Sequence, residues 1–304
     1  MYYLGIDIAK HNHVAALIDN NGKVIAKNIK FTNDSQGYEK LISSLQISLN
    51  IDKHSLLSNI SIAMEATGHY WLSLFSALEE DGFNISVYNP FQIKSFRGAY
   101  YNRNQKTDVI DALIIANYIR TFGSKNTTLP DDSLLSLKQL TRYRADLIKN
   151  ISSTKNQVIA ILDKVFPEFS SLFSDTFGKT AKAILSVAPI PNDIVSLGSN
   201  KLLDLVSTSS KARFKQDFVD KLTLSAKNSF GIKLTNKACA FELKQLINTI
   251  IFIEEQISEL DVEINSIYNS LDTYLTSIPG IGDILAPIQI IWAVLREQRP
   301  YRPY

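Results

Sequence analysis

A chain of 304 residues, 45% of them apolar and 20% charged, can bury more than one hydrophobic core, so two or three domains are expected. A formal charge of +2 is too small to identify a polyanion-binding protein, and the single cysteine, Cys239, excludes an intrachain disulfide framework and fits a reducing cytoplasm. No segment approaches the roughly 18 apolar residues of a membrane helix, and the first residues lack the basic leader and apolar stretch of a secretory signal.

Within the first 125 residues the periodicity alternates between strand and helix, as in an α/β domain. Residues 2–9, 13–19 and 23–31 are predicted strands, the last two joined through Asp19-Asn20-Asn21-Gly22, whose Asn-Gly pair suits a hairpin turn. A helix is predicted from Ser35 to Leu49, with Leu41, Ile42, Leu45 and Leu49 on one side. Strand 60–64, helix 70–80 and strand 85–88 follow. Three antiparallel strands, helix, strand, helix, strand is the element order of a ribonuclease-H-like fold.

Asp7 stands out because it interrupts an otherwise apolar strand, where an ionised side chain is costly without a compensating positive charge. Glu65 ends the strand 60–64 in AMEATGHY. In QKTDVIDALIIANYIR, Thr107 can cap a helix whose first turn carries Asp108 and Asp111. Their i,i+3 spacing sets the two Cβ atoms about 5–6 Å apart on one face, near a helix N-terminus that tolerates negative charge. Four converging carboxylates would repel one another unless cations separate them. Two Mg2+ ions, or Mn2+ in their place, would do so and would equip the site for phosphodiester chemistry. A D-x-x-D at a helix start is also ordinary N-terminal charge bias; the combination in ribonuclease-H order is what points to a nuclease. His11 and His13 form an H-x-H on a strand and are expected to face water.

The segments YLGIDIAKHNH, AMEATGHYW, YNPFQIKSFR and KTDVIDALIIANYIR resemble the DEDD transposases of the IS110 insertion sequences, relatives of the pilin-gene invertases with a RuvC-like catalytic domain. The resemblance runs from Tyr3 to about Ala286. It implies a Mg2+-dependent DNA recombinase whose catalytic tetrad falls on Asp7, Glu65, Asp108 and Asp111. It also implies DNA and a structured guide RNA as partners and a prokaryotic, cytoplasmic, nucleoid-associated setting. Arg97, Arg103 and Lys106 are basic neighbours suited to phosphate. They open a basic stretch, Arg97 to Lys155, with ten Lys/Arg against five Asp/Glu; Lys201 to Lys244 has nine against four, and a solvated helical face gives the same pattern.

The middle of the chain carries two heptad seams. Leu137, Leu140, Arg144, Leu147, Ile151, Thr154, Val158, Ile161 and Val165 form one, interrupted at Arg144 and Thr154; Cys239, Leu243, Leu246, Ile250, Ile253, Ile257, Leu260, Ile264, Ile267 and Leu271 form the other. The two helices can pair with each other or with a second protomer, and the resemblance implies a coiled coil used in dimerisation. The expected organisation is a RuvC-like domain at 1–125, an all-α coiled-coil region at 131–272 with a helical insertion at 166–237, and a C-terminal domain beginning at 273.

That last segment opens with LTSIPGIGDILAP, where Gly280 and Gly282 resemble the hairpin of a helix-hairpin-helix element whose backbone N–H groups approach a DNA phosphate. In the family this begins a second catalytic domain with a serine nucleophile. Here the pattern is lost after Ala286, no serine follows Ser277, and the expectation is that most of that domain has been removed. Two rival readings remain at this stage: a non-catalytic nucleic-acid-binding dimer left by a decayed transposase, and an actin or sugar-kinase type ATPase, whose first strand also reads LGIDIA but whose glycine-rich phosphate loops are missing.

Overall fold

β1 (Tyr2–Asp7), β2 (Asn12–Asp19) and β3 (Val24–Thr32) open the computed structural model, which describes residues 1–100, 107–210, 214–271, 273, 275–282 and 284–297. The β2–β3 turn forms as its residues dictate: Asp19 Oδ1 accepts from the backbone N–H groups of Asn21 and Lys23 at 2.9 and 2.8 Å. Next come α1 (Ser35–Leu49), α2 (Lys53–Asn59), β4 (Ile60–Glu65), α3 (Trp71–Glu80), β5 (Asn84–Tyr88), α4 (Pro90–Tyr100) and α5 (Asp108–Phe122). The strand order is β3-β2-β1-β4-β5; β2 lies antiparallel to both β1 and β3, and β4 and β5 run parallel to β1. This mixed five-stranded sheet is the ribonuclease-H-like fold that the element order predicts.

Alternation along the strands divides the core between the two faces of the sheet. Leu4, Ile6, Leu17, Ile62 and Met64 pack with Leu41 and Leu45 of α1 and with Leu74, Phe75 and Leu78 of α3. On the other face Ala63 and Tyr88 pack with Ile93 and Phe96 of α4 and Ile114, Ile115 and Ile119 of α5, while Val14 and Ala16 meet Ala112. The free edge of β5 is covered: Thr127 N–H donates to the Ile85 carbonyl at 2.7 Å, and Thr127 Oγ1 accepts from Val87 N–H at 2.9 Å. α2, short and capped by Asp52, and α4, starting at Pro90, are helices that the apolar periodicity does not announce.

The chain divides into two compact units, Met1–Leu129 and Pro130–Tyr304. The second contains α6 (Asp132–Val165), α7 (Lys179–Val187), α8 (Pro191–Leu197), α9 (Ser199–Ser210), α10 (Gln216–Lys227), α11 (Asn236–Asn269) and α12 (Leu285–Glu297). α6 and α11 lie antiparallel along each other. Val158, Leu162 and Val165 share a core with Leu243, Ile247 and Ile250, and Leu137, Leu147 and Ile151 share another with Ile253, Leu260 and Ile264. The two predicted seams therefore face each other within one chain. Arg144, the polar break in the first seam, makes a bidentate contact with Asp261 of α11, its Nη2 lying 3.2 Å from Oδ2. α7–α10 pack around the junction of α6 and α11, with Lys182 of α7 paired to Glu254. Ala286 and Ile291 of α12 join the core between α6 and α11.

Candidate active site

Register places the first two acids side by side. β1 and β4 are parallel neighbours paired through Ile6 and Met64, so Asp7 and Glu65 are the next residues at their C-terminal ends. Asp7 is paired with Val14 and Glu65 with Tyr88, both of which belong to the face covered by α4 and α5; paired residues share a face, so the two acids project there too. This answers why a carboxylate occurs in β1: it is the last residue of the strand, half-buried at the sheet's edge rather than inside the core.

α5 crosses that face in direct contact with β1. A Cβ added to Gly5 would sit 2.2 Å from the Ala112 carbonyl oxygen and 2.3 Å from the Ala116 backbone nitrogen, so only glycine permits this approach. Val109 and Ala112 pack beside Val14, opposite Asp7, while the far end of α5 brings Arg120 to Gly22, in the turn beyond the other end of β1. The helix N-terminus therefore points to the edge where Asp7 and Glu65 end. Thr107 is the N-cap, its Oγ1 accepting from Ile110 N–H at 3.3 Å, and Asp108 and Asp111 occupy the first turn.

Each acid has its own surroundings. Glu65 Oε1 accepts from Thr67 Oγ1 at 2.9 Å. Asp108 is exposed. Asp111 is ion-paired with Arg97 of α4, and their side chains are only 13% and 26% exposed. Oxygen-only donors are the chemistry that hard cations such as Mg2+ take. As the side chains stand, however, no three His, Cys, Asp or Glu groups among the described residues form a metal-ligand set, and Asp111 is turned to the guanidinium.

Of the other expected residues, Arg103 and Lys106 lie outside the described residues. Gly280 has φ +90°, and a Cβ at Gly280 or Gly282 would meet nothing within 4 Å, so this backbone is open to approach. The Gly282 carbonyl accepts from Leu285 and Ala286 N–H groups at 2.9 and 3.0 Å where α12 begins. His69 is exposed and its ring lies 4.4 Å from that of Tyr70. His11 faces water as expected, but His13 does not: it is fully buried against Phe31, on the face of the sheet opposite Asp7. Its Nδ1 accepts from Ala9 N–H at 3.2 Å, Nε2 has no hydrogen-bond partner, and burial pushes its pKa down, partly offset by the neighbouring Asn33 side chain. Gly5 and the Arg97–Asp111 pair are the features that sequence reasoning missed. A glycine inside a predicted strand was the available signal for the first; the second depends on how α4 folds back onto α5.

Comparison with known proteins bears on the family. A relative from Streptomyces coelicolor, the mini-circle protein for IS117, is 27% identical over 297 residues, covering 93% of this chain and 69% of the relative. The pilin gene-inverting protein of Moraxella lacunata is 29% identical over 170 residues, 55% of this chain and 49% of the relative. Among solved structures, Thermus thermophilus RuvC in complex with a Holliday junction substrate aligns over 42% of this chain and 99% of its own, with 16% identity and a TM-score of 0.28. Among the described residues no helix is long and apolar enough to cross a membrane. The family model for the IS110 DEDD transposases matches residues 4–167, more than half of the chain: this protein belongs to that transposase family.

Proposed function

We propose that the edge formed by the ends of β1 and β4 and the start of α5 is the phosphodiester-cleaving centre of a DNA transposase, with Asp7, Glu65, Asp108 and Asp111 as the residues that hold Mg2+ or Mn2+. The observation that carries this reading is the backbone contact of Gly5 with Ala112, which sets the first turn of α5 over the end of β1. A bound pair of divalent ions would supply activation of the attacking oxygen and stabilisation of the leaving one. The chain's own residues do the rest. The parallel β1–β4 ladder fixes the Asp7 and Glu65 backbones, Thr67 orients the Glu65 carboxylate, and the Thr107 cap keeps Asp108 and Asp111 on a formed helical turn.

DNA is the expected substrate and a structured RNA the expected guide, with Arg97, Arg103, Lys106 and the open backbone at Gly280 and Gly282 as their phosphate contacts. Because α6 covers the α11 seam, self-association falls to another surface, and we assign it to the exposed Phe241, Phe252 and Val262 of α11. With the family known, the ATPase reading falls away. A second reading, nucleic-acid binding without cleavage, has one observation in its favour: Asp111 already has Arg97 as its cation. Nicking of supercoiled DNA by the full chain decides between them. Mg2+-dependent nicking that disappears in Asp7→Asn and Asp108→Asn supports the enzyme. Salt-sensitive binding with no nicking overturns it in favour of the binder.

A further inference from the structure

In the proposed centre Arg97 already supplies Asp111 with a cation, and the pair is built rather than incidental. Arg97 lies in the last turn of α4, Asp111 in the first turn of α5, and Ile93 and Phe96 of α4 pack with Ile114 and Ile115 of α5, so the two helices hold the pair in place. Both side chains are largely shielded from water, where opposite charges attract more strongly than at an open surface. A carboxylate gripped by a guanidinium offers fewer lone pairs to a metal, and a guanidinium beside a dication is repelled by it. The two cations therefore compete for Asp111.

We propose that Arg97 is a resident counter-ion that must leave Asp111 before a divalent metal is fully bound, and that a nucleic-acid phosphate is what receives it. The inference rests on the reading of the four acids as a metal site. Metal and nucleic acid are then thermodynamically linked: a phosphate that takes up Arg97 frees Asp111, so each ligand raises the affinity of the other. Such a device keeps metal affinity low in the free protein and raises it when a backbone is in place.

Mn2+ binding to the full chain, followed by calorimetry with and without a DNA duplex, tests this without reliance on cleavage. Arg97→Gln is expected to bind Mn2+ about fivefold more tightly than wild type when DNA is absent, in line with the modest net strength of an ion pair. It is also expected to lose most of the gain in Mn2+ affinity that DNA gives wild type. Arg97→Lys keeps a charge on α4 without the forked grip and is expected to fall between the two. Unchanged or weaker Mn2+ binding in both variants, with Asp7→Asn still abolishing it, overturns the counter-ion role and leaves the metal site standing. Mn2+ binding that Asp7→Asn does not alter overturns the metal site and the counter-ion role together.

Discussion

Gly5 of β1 and Ala112 of α5 touch backbone to backbone, with room for a hydrogen but not for a methyl group between them. Everything proposed for Asp108 and Asp111 depends on this contact, because it sets how near the start of α5 comes to the end of β1. Gly5→Ala would push the helix off the sheet, and since the obstructing atoms are backbone no side chain can yield. The expected loss is about 2–3 kcal/mol of stability, typical of overpacking a tight site. Mn2+ affinity should fall even in the protein that remains folded. Urea unfolding measures the first and metal titration at low temperature the second; a variant as stable as wild type would mean that the contact does not hold α5.

Much of this fold is written in the strands themselves. The alternation along residues 2–9 and 60–64, the Asn-Gly turn and the i,i+3 acids after Thr107 each follow from local chemistry, and so does the placement of Asp7 and Glu65 on strands. Their meeting does not: which strands are neighbours, and which face each residue takes, depend on register. His13 illustrates the gap. It lies inside β2, where residues 13–18 are buried on both faces of the sheet, whereas the H-x-H pattern alone reads as solvent-facing; His11 precedes the strand and stays exposed. The heptads are a similar case, since a seam specifies an apolar partner but not whose chain supplies it. The Arg97–Asp111 pair joins two helices across a connection, and no spacing in the sequence encodes it.

Arg144 and Asp261 pair α6 with α11 at a polar break in an otherwise apolar seam, with side chains 15% and 28% exposed. Removing one partner leaves the other half-buried and uncompensated. Asp261→Ala is therefore expected to cost about 1–3 kcal/mol, whereas Arg144→Leu combined with Asp261→Leu should recover much of the loss by extending the seam. A double-mutant cycle in urea checks this. Additive effects of the two single substitutions would show that the pair sets no register between the helices.

His13 gives the first unit a pH dependence with a definite sign. In the unfolded chain it takes up a proton near its ordinary value of 6.5, but burial holds its folded pKa lower. The fold therefore favours the neutral ring, and the stability this contributes is fully present above pH 6.5 and lost as pH falls through the depressed folded value. Protonation also removes the Nδ1 lone pair that accepts from Ala9, two residues beyond Asp7. Unfolding measured between pH 5 and pH 8 should show wild type weakening on the acid side. His13→Phe, less stable at neutral pH for want of the Ala9 acceptor, should show a flatter profile; equal slopes would remove His13 from the account.

Thr107 tests whether the order of one helical turn matters to the proposed chemistry. Its Oγ1 takes the Ile110 N–H, one of the first-turn donors that otherwise have no partner inside the helix. Thr107→Ala is expected to cost about 1 kcal/mol and Thr107→Ser almost nothing, because serine keeps the acceptor. The loss should be local, since Ala112, Ile115, Ala116 and Ile119 remain anchored in the core while the turn with Asp108 and Asp111 frays. Hydrogen exchange should therefore quicken at residues 108–111 and stay slow from Ile114 onward. If nicking depends on those two acids standing together, it should fall in Thr107→Ala by more than the change in folded fraction explains and be restored in Thr107→Ser. A fall matched by global unfolding would instead make the cap a contributor to stability alone.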